Sequence, residues 1–145
     1  MQIEKQFGFG HVATDALEIR LAVFNKEQGF SISDELDGLD ETTTHYVGYL
    51  TPDEPITTAR ISKDKPGNWH IQRVATTKAA RGKGYSTALL KQVEADAREK
   101  HVKTLDLGAQ IQAKGFYEAL GYQVVGEQFL DAGAPHVRMV KELTR

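Results

Sequence analysis

No cysteine occurs among the 145 residues. That absence removes disulfide frameworks, thiolate zinc sites, iron–sulfur clusters and every mechanism that needs a cysteine nucleophile. No apolar run approaches the 18 residues that suggest a membrane-spanning helix. The opening residues Met1-Gln2-Ile3-Glu4-Lys5 also lack the basic and apolar blocks of a secretory leader. A soluble cytoplasmic protein with no membrane partner is the expectation. Neither sign of charge is in excess. The 18 Lys and Arg stand against 20 Asp and Glu, a net of −2, which argues against a domain-wide attraction to nucleic acid. What remains is an ordinary globular composition, 40% hydrophobic and 26% charged. A chain of this length fits one domain, residues 1–145, and should bury roughly 68–70% of the surface that its unfolded form exposes.

The near-neutral total conceals a division. Glu27, Asp34, Glu35, Asp37, Asp40, Glu41, Asp53 and Glu54 fall in a stretch from Glu27 to Ala59 that has no Lys or Arg. Arg60, Lys63, Lys65, Arg73, Lys78, Arg81 and Lys83 follow, with Asp64 as the one acid among them. Two readings fit: solvated loops that differ in charge by chance, or a site that takes an anion on one side and a cation on the other.

Residue patterns predict the elements. Gln2–Phe9 reads as an edge strand, and Thr14-Asp15 as the N-cap of a helix carrying Leu17, Leu21 and Phe24 that ends near Gln28-Gly29. Ser31–Thr44 reads as irregular, with one short helical turn. His45–Leu50 and Ile56–Ser62 form a hairpin. Trp69–Thr76 follows the turn Lys65-Pro66-Gly67-Asn68, where Pro and Gly stand where a type II turn wants them. A strong amphipathic helix places Leu89, Leu90, Val93 and Ala97 inward. A short strand Lys103–Gly108, a short helix Gln112–Leu120 closed by Gly121, and strands Tyr122–Leu130 and His136–Val140 complete the chain. The fold class is α+β (mixed α/β), with one large sheet.

The segment from Ile71 to Leu90 runs from a strand through Arg81-Gly82-Lys83-Gly84-Tyr85-Ser86 directly into the amphipathic helix. Such a junction leaves backbone N–H groups pointing outward at the positive end of the helix dipole, and so binds anions. The dinucleotide fingerprint fails because Thr87 stands where the third glycine belongs. The Walker A loop fails because Gly84 follows Lys83 and Thr77 replaces the earlier glycine. The motif Arg81-x-x-Gly84-x-Ser86 instead resembles the pyrophosphate loop of the GNAT superfamily of N-acetyltransferases, Gln/Arg-x-x-Gly-x-Gly/Ala, with Ser86 a small departure. Ala113-Lys-Gly-Phe-Tyr-Glu-Ala-Leu-Gly-Tyr122 follows that superfamily's later pattern A-x-x-F-Y-x-x-x-G-F/Y. Val23–Gly29, Glu35-x-Asp37, His45 and Ala134-Pro135-His136 are similar to a small bacterial subgroup whose substrates are generally unassigned.

The resemblance implies a single GNAT-like domain with a central, mostly antiparallel twisted sheet of six to seven strands, flanked by helices and splayed at the cofactor site. It implies acetyl-CoA as co-substrate. Arg81, Gly82, Lys83, Gly84, Tyr85, Ser86 and Thr87 would hold the pyrophosphate, and the main chain of Val74, Ala75 and Thr76 the pantetheine arm, with Phe116 beside it. The early end of the neighbouring strand at Gly108-Ala109 would open the sheet there. The Val74 N–H is the implied oxyanion donor and Tyr117 the implied acid for the departing thiolate. Many relatives place a glutamate on the strand before the loop, where Gln72 and Arg73 stand here. A water-relayed route to Glu35 or His45 is therefore expected on the substrate side, with Asp37, His136 and Glu27 behind them. The five histidines show no ligand spacing, so no metal is expected. The leading function is direct acetyl transfer from acetyl-CoA to a primary amine of a small molecule or protein. The alternative is a non-catalytic acyl-CoA-binding or sensing module, favoured by Gln72. A homodimer through the terminal hairpin is compatible with the pattern.

Overall fold

Seven strands form one sheet in the order β1-β2-β3-β4-β5-β7-β6. The computed structural model describes residues 1–143, apart from the side chain of Asp34, so that one of the acids counted above lies outside the described side chains. β1 (Gln2–Phe7), β2 (Thr44–Tyr49), β3 (Pro55–Lys65) and β4 (Asn68–Thr76) pair antiparallel in succession. β5 (Thr104–Gln110) runs parallel to β4, which requires a crossover, and α3 (Tyr85–Glu99) supplies it. β6 (Gln123–Asp131) and β7 (Ala134–Glu142) form a hairpin around Ala132 and Gly133, with φ of 51° and 80°, and β7 lies between β5 and β6. Two positive φ values suit the twist of a two-residue hairpin turn. The turn is therefore tighter than the five residues Asp131–Pro135 predicted for it.

Helices cover both faces. Leu89, Leu90, Val93 and Ala97 of α3 are buried against Tyr46, Ile61, Trp69, Ile71, Leu105 and Leu107, so the helix buries its apolar stripe on one face of the sheet. On the other face α1 (His11–Arg20) packs Val12, Ala16 and Ile19 onto Val47, Tyr49 and Ala75. The predicted Thr14-Asp15 cap falls inside this helix. Its start is Gly10, with the Gln6 side-chain oxygen accepting the Val12 N–H at 3.2 Å. The Asp15 carboxylate instead accepts the Tyr49 hydroxyl at 2.6 Å. α1 runs on as a π-helical turn over Leu21–Glu27, closed by the Gln28 N–H on the Val23 carbonyl at 3.0 Å. α2 (Ile32–Glu35) and α4 (Lys114–Ala119) are short. Among the described residues, no helix is long and apolar enough to cross a membrane.

The sheet opens between β4 and β5, for a different reason from the one predicted. β5 does not end at Gly108. It continues along β7 through Gly108↔Arg138 to Gln110↔His136. It is β4 that leaves, since its pairing with β5 stops at Ile71↔Leu107. Beyond that point β4 carries a bulge: Thr58↔Ala75 and Arg60↔Gln72 set two steps on β3 against three on β4, and Arg73 takes φ of 53°. An extra residue bends a strand and re-aims its side chains.

Beside the bulge lies a network of charge. Arg20, Arg60 and Arg73 meet Glu35, Asp37 and Asp40. Arg20 is 1% exposed and Glu35 3%. The Arg20 Nε donates to Glu35, and its Nη1 to Asp40 at 3.0 Å. Arg60 grips Asp37 with both terminal nitrogens, at 3.0 and 2.7 Å, reaches Asp40 at 2.9 Å, and donates from Nε to the Gln72 side chain at 3.0 Å. Arg73 bonds Glu35 and Asp37, each at 3.2 Å. Removing one partner of such a set leaves a buried charge uncompensated, which costs about 3–5 kcal/mol. Arg20→Met should lose stability on that scale in urea denaturation. A loss below about 1 kcal/mol would show that the network contributes little.

Candidate functional site

The opening between β4 and β5 leads into a cleft of about 600 Å³. Alternation along β4 sends Trp69 and Ile71 into the α3 core, so His70 faces the other way, into the cleft. The parallel register sets His70 opposite Asp106, and Arg138 stands two pairs further along on β7, opposite Gly108. The result is a polar cluster on one carboxylate. His70 Nδ1 lies 2.9 Å from Asp106 Oδ1, which also accepts the Asn68 amide at 2.9 Å. The Arg138 Nε donates to Oδ2 at 3.2 Å. Burial works to raise the Asp106 pKa, but bonds from His70 and Asn68, the His70 charge and the Arg138 bond outweigh it and hold it at about 2. Asp106 is thus ionised at neutral pH and can only accept. His70 therefore carries a proton on Nδ1 and, as the neutral ring, a lone pair on Nε2.

Tyr117 lines the same cleft while packing edge-on against Phe116 at 5.0 Å and Tyr122 at 5.9 Å. Burial pushes its phenol pKa above the usual range, so it stays protonated at neutral pH. Among the described residues its hydroxyl has no hydrogen-bond partner. Val74 also lines the cleft, one residue past the strained Arg73. Arg73 and Val74 fall between Gln72 and Ala75, the β4 residues that have partners on β3, and nothing on β4 after Ile71 pairs with β5. Of the neighbouring pantetheine candidates, Ala75 is buried under α1, and the Thr76 hydroxyl lies 2.9 Å from that of Thr57.

The glycine-rich loop lies outside the cleft lining. Gly82 and Gly84 hold φ of 75° and 84° with open space where a Cβ would be, so it is the backbone conformation, not crowding, that calls for glycine. Gly84 caps α3, and the Ala88 N–H is the one that reaches back to its carbonyl. The N–H groups of Tyr85, Ser86 and Thr87 have no intrahelical acceptor, and no acid stands in that first turn. Arg81 is not a free cation: both terminal nitrogens bond Glu27 at 2.6 Å, and its Nε bonds the Thr76 carbonyl at 3.0 Å. It ties the loop to the end of the π-helical turn and to β4. Lys83 is exposed, as is Phe116, at 37%.

The two substrate-side candidates differ in placement. Glu35 borders the cleft with its carboxylate engaged by Arg20 and Arg73. His45 is fully buried on β2, outside the lining, with Nε2 2.9 Å from the Asp40 carbonyl and burial lowering its pKa. Asp37 is held by Arg60 and Arg73, and Glu27 by Arg81. His136 borders the cleft, stacked on Phe129 at 5.8 Å. Four acids of the first stretch, Glu27, Glu35, Asp37 and Asp40, thus pair with Arg60, Arg73 and Arg81 of the second. His70, Asp106 and Arg138 were not anticipated there. The available signal was an acid between two leucines, Leu105-Asp106-Leu107, in the middle of a strand.

A family model described as acetyltransferase (GNAT) domain matches residues 12–143. The chain belongs to this family. It is 35% identical over 129 residues to the uncharacterised N-acetyltransferase YjcF of Bacillus subtilis, covering 88% of this chain and 91% of that protein. A candidate N-acetyltransferase structure from Lactobacillus plantarum superposes with a TM-score of 0.91 at 33% identity, over 99% of this chain and 100% of that one. The fold is shared with an aminoglycoside 6′-N-acetyltransferase solved with coenzyme A, at a TM-score of 0.77 and 16% identity, over 100% and 98% of the two chains. This GNAT protein is an acyltransferase, and the splayed β4–β5 opening is a feature of its own sheet.

Asp106 gives a test of the polar cluster. Its pKa is depressed on folding, so the stability it contributes is present above the unfolded value of about 3.9 and is lost as pH falls through about 2. Wild type should exceed Asp106→Asn by a pH-dependent amount on the order of 2 kcal/mol at pH 6, closing towards pH 2. A difference constant across that range would contradict the assignment.

Proposed function

We propose that the protein transfers an acetyl group from acetyl-CoA directly to a primary amine. The observation that carries this reading is the stretch of β4 after Ile71, which has no β5 partner and opens on a cleft holding a free phenol and an imidazole. A main chain without a ladder neighbour has N–H and C=O groups to offer an extended amide-bearing arm such as pantetheine. The first turn of α3, with its unpaired N–H groups and its two positive-φ glycines, suits a pyrophosphate, and a distant fold relative was solved with coenzyme A. In this reading Arg81 braces the loop through Glu27, while Gly82, Lys83, Gly84, Tyr85, Ser86 and Thr87 face the phosphates and Phe116 flanks the arm.

Acetyl-CoA supplies an activated acyl carbon: the N–C bond forms as the C–S bond breaks, and sulfur leaves with the electron pair. The Val74 N–H is the donor to the developing oxyanion. Tyr117, protonated at neutral pH, gives its proton or a hydrogen bond to the departing sulfur. Nε2 of His70 takes the amine proton, with Asp106 fixing the ring through Nδ1. Glu35, tied to two arginines, holds the bulge in place, and His45 is a buried structural partner of the Asp40 carbonyl. The absence of cysteine leaves direct transfer without a thioester enzyme intermediate. Gln72, which cannot act as a base, favours a cofactor sensor; the His70–Asp106 pair in the cleft counts against that reading.

Acetyl-CoA at about 100 times its Kd should add about 2.7 kcal/mol, a melting shift of roughly 5–10 °C. Thiol release should follow on addition of an amine. Tyr117→Phe should lower kcat about 100-fold with acetyl-CoA affinity nearly unchanged. No thermal shift would remove the reading, and unchanged turnover would remove Tyr117 as the acid.

A further inference from the structure

Arg138 is half-exposed, at 51%, and lines the cleft. Its Nε is anchored on Asp106, the carboxylate that also orients His70. Among the described residues, its two terminal nitrogens have no acceptor. The other charges of the cleft differ. Arg73 bonds Glu35 and Asp37, Glu35 also receives Arg20, and Asp106 accepts from three side chains. Asp131, at the end of the hairpin, pairs with Ala134, four residues along β7 from Arg138. A guanidinium held by one edge, with its planar N–H fork turned to an open cleft, has the geometry for a carboxylate or phosphate.

From this we infer that the acceptor carries an oxyanionic group close to its amine, the fork of Arg138 taking the anion while Nε2 of His70 takes the amine proton. The inference rests on the acetyl-transfer reading. His70 and Arg138 sit on the two oxygens of a single carboxylate, so they are neighbours, and one small molecule can reach both. An amino acid or a phosphorylated amine has the required pair of groups on a short skeleton; a plain alkylamine lacks the anion. Arg138 is thus a specificity-determining residue. Asp106 serves both sides of the acceptor, orienting the imidazole with Oδ1 and the guanidinium with Oδ2.

Matched pairs test this: phenylalanine against phenethylamine, 4-aminobutyrate against butylamine, and phosphoethanolamine against ethanolamine. In at least one pair the acid-bearing member should have a kcat/KM at least 10-fold higher, mainly through KM. Arg138→Gln should bring that ratio close to one, and Arg138→Lys should retain part of it. A preference confined to the phosphate pair would identify phosphate as the anion; one shown by the two amino acids would identify carboxylate. Ratios near one in the wild type, or an Arg138→Gln variant that lowers both members equally, would overturn the inference. A second readout does not need turnover. The Nε–H resonance of Arg138 should shift on titration with the acid-bearing members and stay put with the plain amines. If acetyl-CoA binds but no amine releases thiol, the transfer reading fails, and the titration still decides the anion site.

Discussion

Three guanidinium groups and three carboxylates, largely shut away from water, hold the chain together beside the cleft. Isolated buried charges are prohibitive, so each must find its partners or the segment cannot dock. The requirement acts across elements. Arg20 comes from the end of α1, Glu35 from α2, Asp37 and Asp40 from the loop that follows, Arg60 from β3 and Arg73 from the bulge of β4. Burial works to raise the pKa of Asp37 and Asp40, but hydrogen bonds and charges, from Arg60 on Asp37 and from Arg20 and Arg60 on Asp40, outweigh it and keep both ionised. The irregular segment between α1 and β2, which has few apolar residues of its own to bury, is fixed by these bonds.

The shape of the sheet follows. Arg73 holds a left-handed φ that costs a non-glycine residue about 1–2 kcal/mol, and its guanidinium is anchored on Glu35 and Asp37. With Arg73 placed there, β4 bends away from β5 after Ile71, while β5 stays with β7. The cleft is the space so opened. Asp106, Tyr117 and Arg138 acquire their setting from that divergence: they line a cavity in which a flat sheet would have continued its ladder.

Local chemistry was legible in the residues, and distant pairing was not. The stripe of α3, the turn at Pro66-Gly67, the glycines at 82 and 84 and the C-terminal cap at Gly121 are each decided within a few residues, and the structure follows all of them. The first helix begins ahead of the Thr14-Asp15 pattern because its start is organised by Gly10 and by a side chain on the preceding strand, Gln6, and not by an oxygen at the cap position. The acidic and basic stretches were visible as composition, but their partnership depends on contacts 20 to 54 residues apart. His70 and Asp106, 36 residues apart, meet only through the parallel register. Neither stands out alone, since one is a histidine in a strand and the other an acid between leucines.

In the proposed reading, the network-held bulge exposes the β4 main chain after Ile71 to the acyl donor. Amide hydrogen exchange with and without acetyl-CoA measures this directly. Slowed exchange is expected at Val74–Thr76 and at Gly82–Thr87, with β1 and β2 unaffected. Unchanged exchange at those residues, with protection elsewhere, would contradict it.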